Sequence, residues 1–170
     1  MLAVFATGPS VPAFVVYATT DDPVHGFSTP LTVEQTAFLK KHSTITALGH
    51  FDQASACAKC DWGRFDSYFG NSDQLIQGLH QLSRVITLRA RRRYESGEWK
   101  QANQDVQNVL KLARRMVSLS RFYEHYLFMI ENIANGTASA YVLQMPAEDL
   151  EDLAVRLKNV GVFRPMKQLL

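Results

Sequence analysis

The chain has 170 residues, 46% of them hydrophobic, with 18 basic residues against 16 acidic for a formal net charge of +2. That is enough apolar material for one domain with its own core and little room for a second, and so balanced a charge implies no obligatory partner in nucleic acid or an acidic membrane. Two cysteines three positions apart cannot staple distant segments, so there is no disulfide framework and no indication of redox compartment.

Residues 1–31 are apolar, lack Lys and Arg, and are interrupted by Pro9, Pro12, Pro23 and Pro30, which predicts an irregular arm with a short extended stretch at Val15–Tyr17. Val16-Tyr17-Ala18 has the look of an export cleavage site. Against that reading, no basic residue precedes the apolar run, and Gly8-Pro9 breaks it. No run approaches the roughly 18 apolar residues of a membrane-crossing helix.

From Thr32 the texture is helical. Thr32 and Gln35 have capping-box spacing, and Val33, Ala37, Phe38, Ile45 and Leu48 supply an apolar side. His42-Ser43-Thr44 and Gly49 predict one kinked or broken helix ending near Ala58. Residues 59–70 mix turn formers with aromatics, which predicts a structured loop whose rings cover the end of a bundle. Trp62, Phe65, Tyr68 and Phe69 are therefore candidate partner contacts.

The stretch from Asn71 to Met116 organises the rest. Leu75, Leu79, Leu82, Ile86, Ala90 and Tyr94 recur at helical spacing, with a capping box expected at Asn71 and Gln74 and a stop at Ser96-Gly97. Glu98 starts a second helix carrying Trp99, Ala102, Val106, Val109, Ala113 and Met116. Helices joined by so short a turn must run antiparallel and bury these stripes against each other. After a turn at Ser118–Ser120, Phe122, Leu127, Ile130, Ala134, Ala138 and Tyr141 mark a third long helix. Gly136 inside it costs about 1 kcal/mol against alanine, a loss acceptable where another helix approaches closely. Pro146 opens a last helix with Leu150, Leu153, Leu157 and Val160 expected inward and Gly161 ending it. Leu169 and Leu170 at the end of the chain fit one that continues into a further helix.

The expected fold is all-α: an antiparallel helical bundle or short solenoid of five to six helices over 32–170, with an irregular N-terminal arm over 1–31, itself a candidate remnant of a longer upstream segment.

Three groups of residues suggest chemistry. Cys57-Ala-Lys-Cys60 has metal or redox spacing, with His50 and His80 the histidines nearest to hand. Redox chemistry favours a helix N-terminus whereas this pair falls at a helix C-terminus, and no second ligand pair follows, so the plainer reading is two half-buried thiols. Arg84, Arg89, Arg91, Arg92, Arg93, Arg114 and Arg115 suggest a basic collar. Beside Tyr94 and Trp99 it would suit RNA or phosphate, and Arg89, Arg92 and Arg93 are candidate partner contacts. The plainer reading is a solvated face paired with Glu95, Glu98 and Asp105. Glu124, His125 and Glu131 lack the Glu-x-x-His spacing of a bundle metal centre. There is no His-Glu-x-x-His, phosphate-binding glycine loop or Gly-x-Ser-x-Gly elbow, and Asn135-Gly-Thr137 is a chance sequon within a helix. Nothing points to an enzyme or a cofactor.

Gly97-Glu-Trp99-Lys-Gln-Ala102 resembles the helix–turn–helix junction of tetratricopeptide repeats, as a hairpin and not as a repeat array. Over residues 32 to about 160, several features recur in order: a Leu-Thr-initiated helix, Cys60 and Trp62 with Asp66 and Gly70 behind them, an arginine-bearing helix, the segment Ala102 to Arg114, and Met145-Pro-Ala-Glu-Asp-Leu150. This succession is similar to a group of large uncharacterised bacterial helical proteins, often membrane-anchored ahead of this region. That group has no established activity to carry over, so the resemblance bears on the fold and leaves function open. The role expected from the helical surface and the aromatic loop is a non-catalytic protein-interaction or scaffolding domain, in the cell envelope or outside the cell if an upstream segment is missing and otherwise in the cytoplasm. RNA or phosphate binding through the Arg84–Arg93 and Arg114–Arg115 surface, and a metal or redox role for Cys57 and Cys60, are the alternatives.

Overall fold

The computed structural model describes residues 30–42, 46–57, 69–116 and 124–160. They form six α-helices: α1 (Val33–His42), α2 (Thr46–Ala56), α3 (Phe69–Glu95), α4 (Trp99–Met116), α5 (Glu124–Tyr141) and α6 (Ala147–Val160). A 3-10 turn, Val142–Gln144, joins the last two. There is no strand among the described residues, and the arrangement is an all-α helical bundle.

The Thr32 capping box forms as its spacing predicts. The Thr32 N–H donates to Gln35 Oε1 at 3.0 Å, and the Gln35 N–H returns to Thr32 Oγ1 at 3.2 Å. The segment it opens is two helices, α1 and α2. Val33, at 82% exposure, and Ala37 face solvent, whereas Gln35 is buried and Leu39 is half-buried. Leu48 and Phe51 carry α2 into the core. Its last carbonyls are closed from α4, since Arg115 donates to the Ala54 oxygen at 2.9 Å and to the Cys57 oxygen.

Helix α3 begins at Phe69, so Asn71 lies inside its first turn and is not the N-cap, and Phe69 and Gly70 are helical where a loop is expected. Trp62, Phe65 and Tyr68 lie outside the described residues. Gly97 has φ +76°, which a residue with a side chain adopts only at a cost, and it ends α3 by a Schellman motif. The Glu98 N–H reaches the Arg93 oxygen at 2.8 Å and the Gly97 N–H the Tyr94 oxygen at 3.1 Å. The chain then reverses into α4.

Helix α4 is the hub: α3, α5 and α6 all pack on it, with α2 beside them. Ile86, Ala90 and Tyr94 of α3 share one buried cluster with Ala102, Val106, Val109 and Ala113 of α4 and with Leu127, Ile130, Ala134, Ala138 and Tyr141 of α5. Each fully buried Ile or Val there contributes roughly 1.5–3 kcal/mol. The Tyr94 and Tyr141 rings stack at 4.9 Å between centroids, and Trp99 tilts against Tyr94 at 5.7 Å.

Helix α6 departs from expectation. Leu153 is buried, but Leu150 and Leu157 are 40% and 37% exposed. The side turned inward carries Asp149, Asp152, Leu153, Arg156 and Val160. The cause lies on α4, which presents amide side chains here: Asn103 Nδ2 donates to the Asp149 carbonyl at 2.8 Å, and Gln107 Nε2 to that of Arg156 at 3.0 Å. A buried amide left without a partner costs about 1–3 kcal/mol, so α6 turns its polar side to them.

Candidate binding groove

Arg89 and Arg93, one turn apart on α3, both reach Asp105 of α4. Arg89 Nε donates to Asp105 Oδ2 at 3.0 Å and Nη2 to Oδ1 at 2.6 Å, while Arg93 Nη1 donates to Oδ2 at 2.7 Å. The same Arg89 fork takes Asp52 of α2, with Nη2 at 2.8 Å and Nη1 at 3.1 Å from the carboxylate oxygens. The Asp105 side chain is 2% exposed and that of Asp52 is 47% exposed, so the network runs from the interior to the surface. Burial pushes the Asp105 carboxyl above its ordinary value, with the Arg89 hydrogen bonds and the Arg89 and Arg93 charges opposing. For Arg89 burial acts to lower the pKa, but bonds to Asp52 and Asp105 outweigh it and hold the guanidinium above its ordinary value.

An open groove of about 690 Å³ lies over this network, between α2, α3, α4 and α6. Asp52, Ser55 and Ala56 form one wall, and Arg89 and Arg93 the next. Helix α4 supplies the floor from Lys100 to Lys111, with Gln101, Gln104, Gln107 and Asn108 between them, and Arg156 closes the α6 side. The amides are pre-set by one another: Gln104 Nε2 donates to Asn108 Oδ1 at 2.7 Å and to Gln107 Oε1 at 3.3 Å. Arg156 donates through Nη1 to Gln104 Oε1 and through Nε to Asp152 Oδ2, the latter at 2.7 Å. Burial acts to raise the Asp152 pKa, but the bonds from Arg156 and Asn103 prevail and hold it below the ordinary value.

Such a lining has the groups to bind and orient. Its two carboxylates are engaged by arginines, and the rest of its polar side chains are a serine, amides, guanidinium and ammonium groups suited to oxyanions and peptide carbonyls.

Of the residues singled out from sequence, Arg89 and Arg93 line the groove and Arg92 is exposed outside it. The expected basic collar is not one surface. Arg84 and Arg91 are 4% and 1% exposed, buried in the bundle, because α3 is covered by α4 and α5 and by α1. Arg114 pairs with Glu131 at 2.8 Å, and Arg115 is committed to the end of α2. Cys57 is exposed just after α2, Cys60 lies outside the described residues, and His80 is buried on α3 while His50 is half-buried on α2. Among the described residues no three His, Cys, Asp or Glu side chains converge in a metal-holding group, and no helix is long and apolar enough to cross a membrane.

Asp52, Lys100, Lys111, Arg156 and the α4 amides were not legible as a site. The one signal was Asn103-Gln104-Asp105 followed by Gln107-Asn108, a polar band on a helix whose opposite side is apolar. No protein-family model matches the chain, and no curated protein or solved structure shows similarity to it.

Proposed function

We propose that this is a non-catalytic protein-interaction domain that holds an extended acidic segment of a partner protein along α4. The observation that carries the reading is the composition of the groove: five cationic side chains, Arg89, Arg93, Lys100, Lys111 and Arg156, against the two carboxylates of Asp52 and Asp105. From Lys100 to Lys111 the floor runs about 16 Å at 1.5 Å per residue. That length accepts roughly five residues of extended chain at about 3.3 Å each, longer than a single phosphate needs. Exposed Gln101 faces such a chain with an amide that pairs with peptide N–H and C=O, while Gln104 and Asn108 hold each other in the floor. The likeness of the Gly97 junction to a tetratricopeptide hairpin is in keeping with a helical binding module. Burial of Arg84 and Arg91 weighs against an RNA-binding collar.

Fluorescence anisotropy with a labelled oligoglutamate, an oligolysine and a single-stranded RNA tests the proposal. Oligoglutamate should bind, and Lys100→Glu with Lys111→Glu should abolish binding while helicity is kept. RNA binding with a steep salt dependence, or equal affinity for both peptides, would overturn it.

A further inference from the structure

We propose that α6 is also a self-association surface, pairing antiparallel with α6 of a second copy of this chain about a two-fold axis. On α6 the positions Ala147, Leu150, Ala154 and Leu157 step by three, four and three, forming an apolar stripe about a third of a turn from the side bound to α4. All four are exposed. Polar groups thus share the inner side with Leu153, and the helix's other two leucines lie outside. Among the described residues six large apolar side chains are exposed, and two of them, Leu150 and Leu157, lie two turns apart on this stripe. Among the described helices α6 packs chiefly on α4, which leaves its stripe on the outer side of the bundle.

Charge selects the occupant. Glu151 and Lys158, both exposed, border the same outer edge of the stripe two turns apart. The exposed acidic residues, Glu148 and Glu151, sit in the first half of α6, and Lys158 sits in the second. An antiparallel copy brings each Glu151 to the other chain's Lys158, a contact that two-fold symmetry repeats. A parallel copy would carry the two charged edges to opposite flanks of the pair, so Glu151 and Lys158 would not meet. Four apolar side chains per chain make less than the ~800 Å² per partner of a standard interface, so the dimer is reversible, with a dissociation constant on the order of 10 µM or weaker.

Sedimentation equilibrium of the full chain from about 1 to about 300 µM tests this. The mass should rise from 19.2 kDa toward twice that value. Leu150→Glu should hold it at the single-chain value with unchanged helicity. Glu151→Lys should weaken association about tenfold, and adding Lys158→Glu to that variant should restore it, since the exchange recovers opposite signs only across an antiparallel pair. A single-chain mass at every concentration overturns the proposal. So does association that Leu150→Glu leaves intact, or a double variant no better than Glu151→Lys alone.

Discussion

Arg89 grips Asp105 through Nε and Nη2 while the same guanidinium holds Asp52, so one side chain on α3 joins α2 to α4. The two ends of this link differ in energy because they differ in exposure. Removing Asp105 takes the carboxylate from Arg93 and leaves Arg89 only the half-exposed Asp52, and breaking a buried pair from one side costs about 3–5 kcal/mol. Asp52 lies half in water, where pairing is worth about 1 kcal/mol or less. Urea unfolding should therefore show Asp105→Ala far more damaging than Asp52→Ala. Equal losses would contradict the ranking.

Tyr94 and Asn103 form a second link, toward α6. The Tyr94 O–H donates to Asn103 Oδ1 at 2.9 Å, and Asn103 Nδ2 donates to the Asp149 carbonyl and, at 3.2 Å, to Asp152 Oδ2. Tyr94→Phe keeps the stack on Tyr141 but leaves the buried Asn103 Oδ1 without its donor, a loss of about 1–3 kcal/mol. Asn103→Ala strips the amide that seats α6 and leaves the Tyr94 hydroxyl buried without its partner. Hydrogen exchange should then rise across 147–160 in Asn103→Ala and stay near wild type there in Tyr94→Phe.

The contrast between the α3–α4 seam and α6 shows what a sequence makes legible. Ile86, Ala90, Val106 and Val109 pack apolar against apolar, so counting apolar residues at helical spacing finds both faces and the glycine that joins them. On α6 the same counting favours Leu150 and Leu157, but the orientation is decided by Asn103 and Gln107, which belong to another helix and act through hydrogen bonds that periodicity does not register. The groove was hidden for the same reason: Asp52, Arg89, Asp105 and Arg156 come from four different helices and share no local pattern. A pair of truncations checks the orientation. Leu153→Ala should cost about 2–5 kcal/mol and Leu150→Ala less than about 1 kcal/mol in urea unfolding of dilute protein.

At Gly97 the backbone sits at φ +76°, and a Cβ there would meet nothing nearer than Trp99 Nε1 at 4.0 Å. The cost of a side chain is therefore conformational and not a clash. Gly97→Ala should lose about 1 kcal/mol by thermal unfolding, and Gly97→Asn less, because asparagine tolerates the left-handed region better. Two equal losses would mean that packing, not φ, sets the requirement.

Glu131 supplies a pH dependence whose sign follows from its surroundings. Burial raises its pKa above the ordinary 4.5, and the Arg114 charge only partly opposes this. A carboxyl raised in the folded state binds its proton more readily folded than unfolded. Its favourable contribution is complete below pH 4.5 and is lost as the pH rises through the higher folded value. Glu131→Gln keeps an oxygen for Arg114 to bond but cannot titrate, and Asp105 and Asp152 titrate alike in both proteins. The stability of wild type relative to Glu131→Gln should thus increase on acidification from neutrality toward pH 4.5 and then level off. Denaturant midpoints of the two proteins across that range measure the difference, and a wild type that loses ground on acidification would place the Glu131 pKa below its ordinary value.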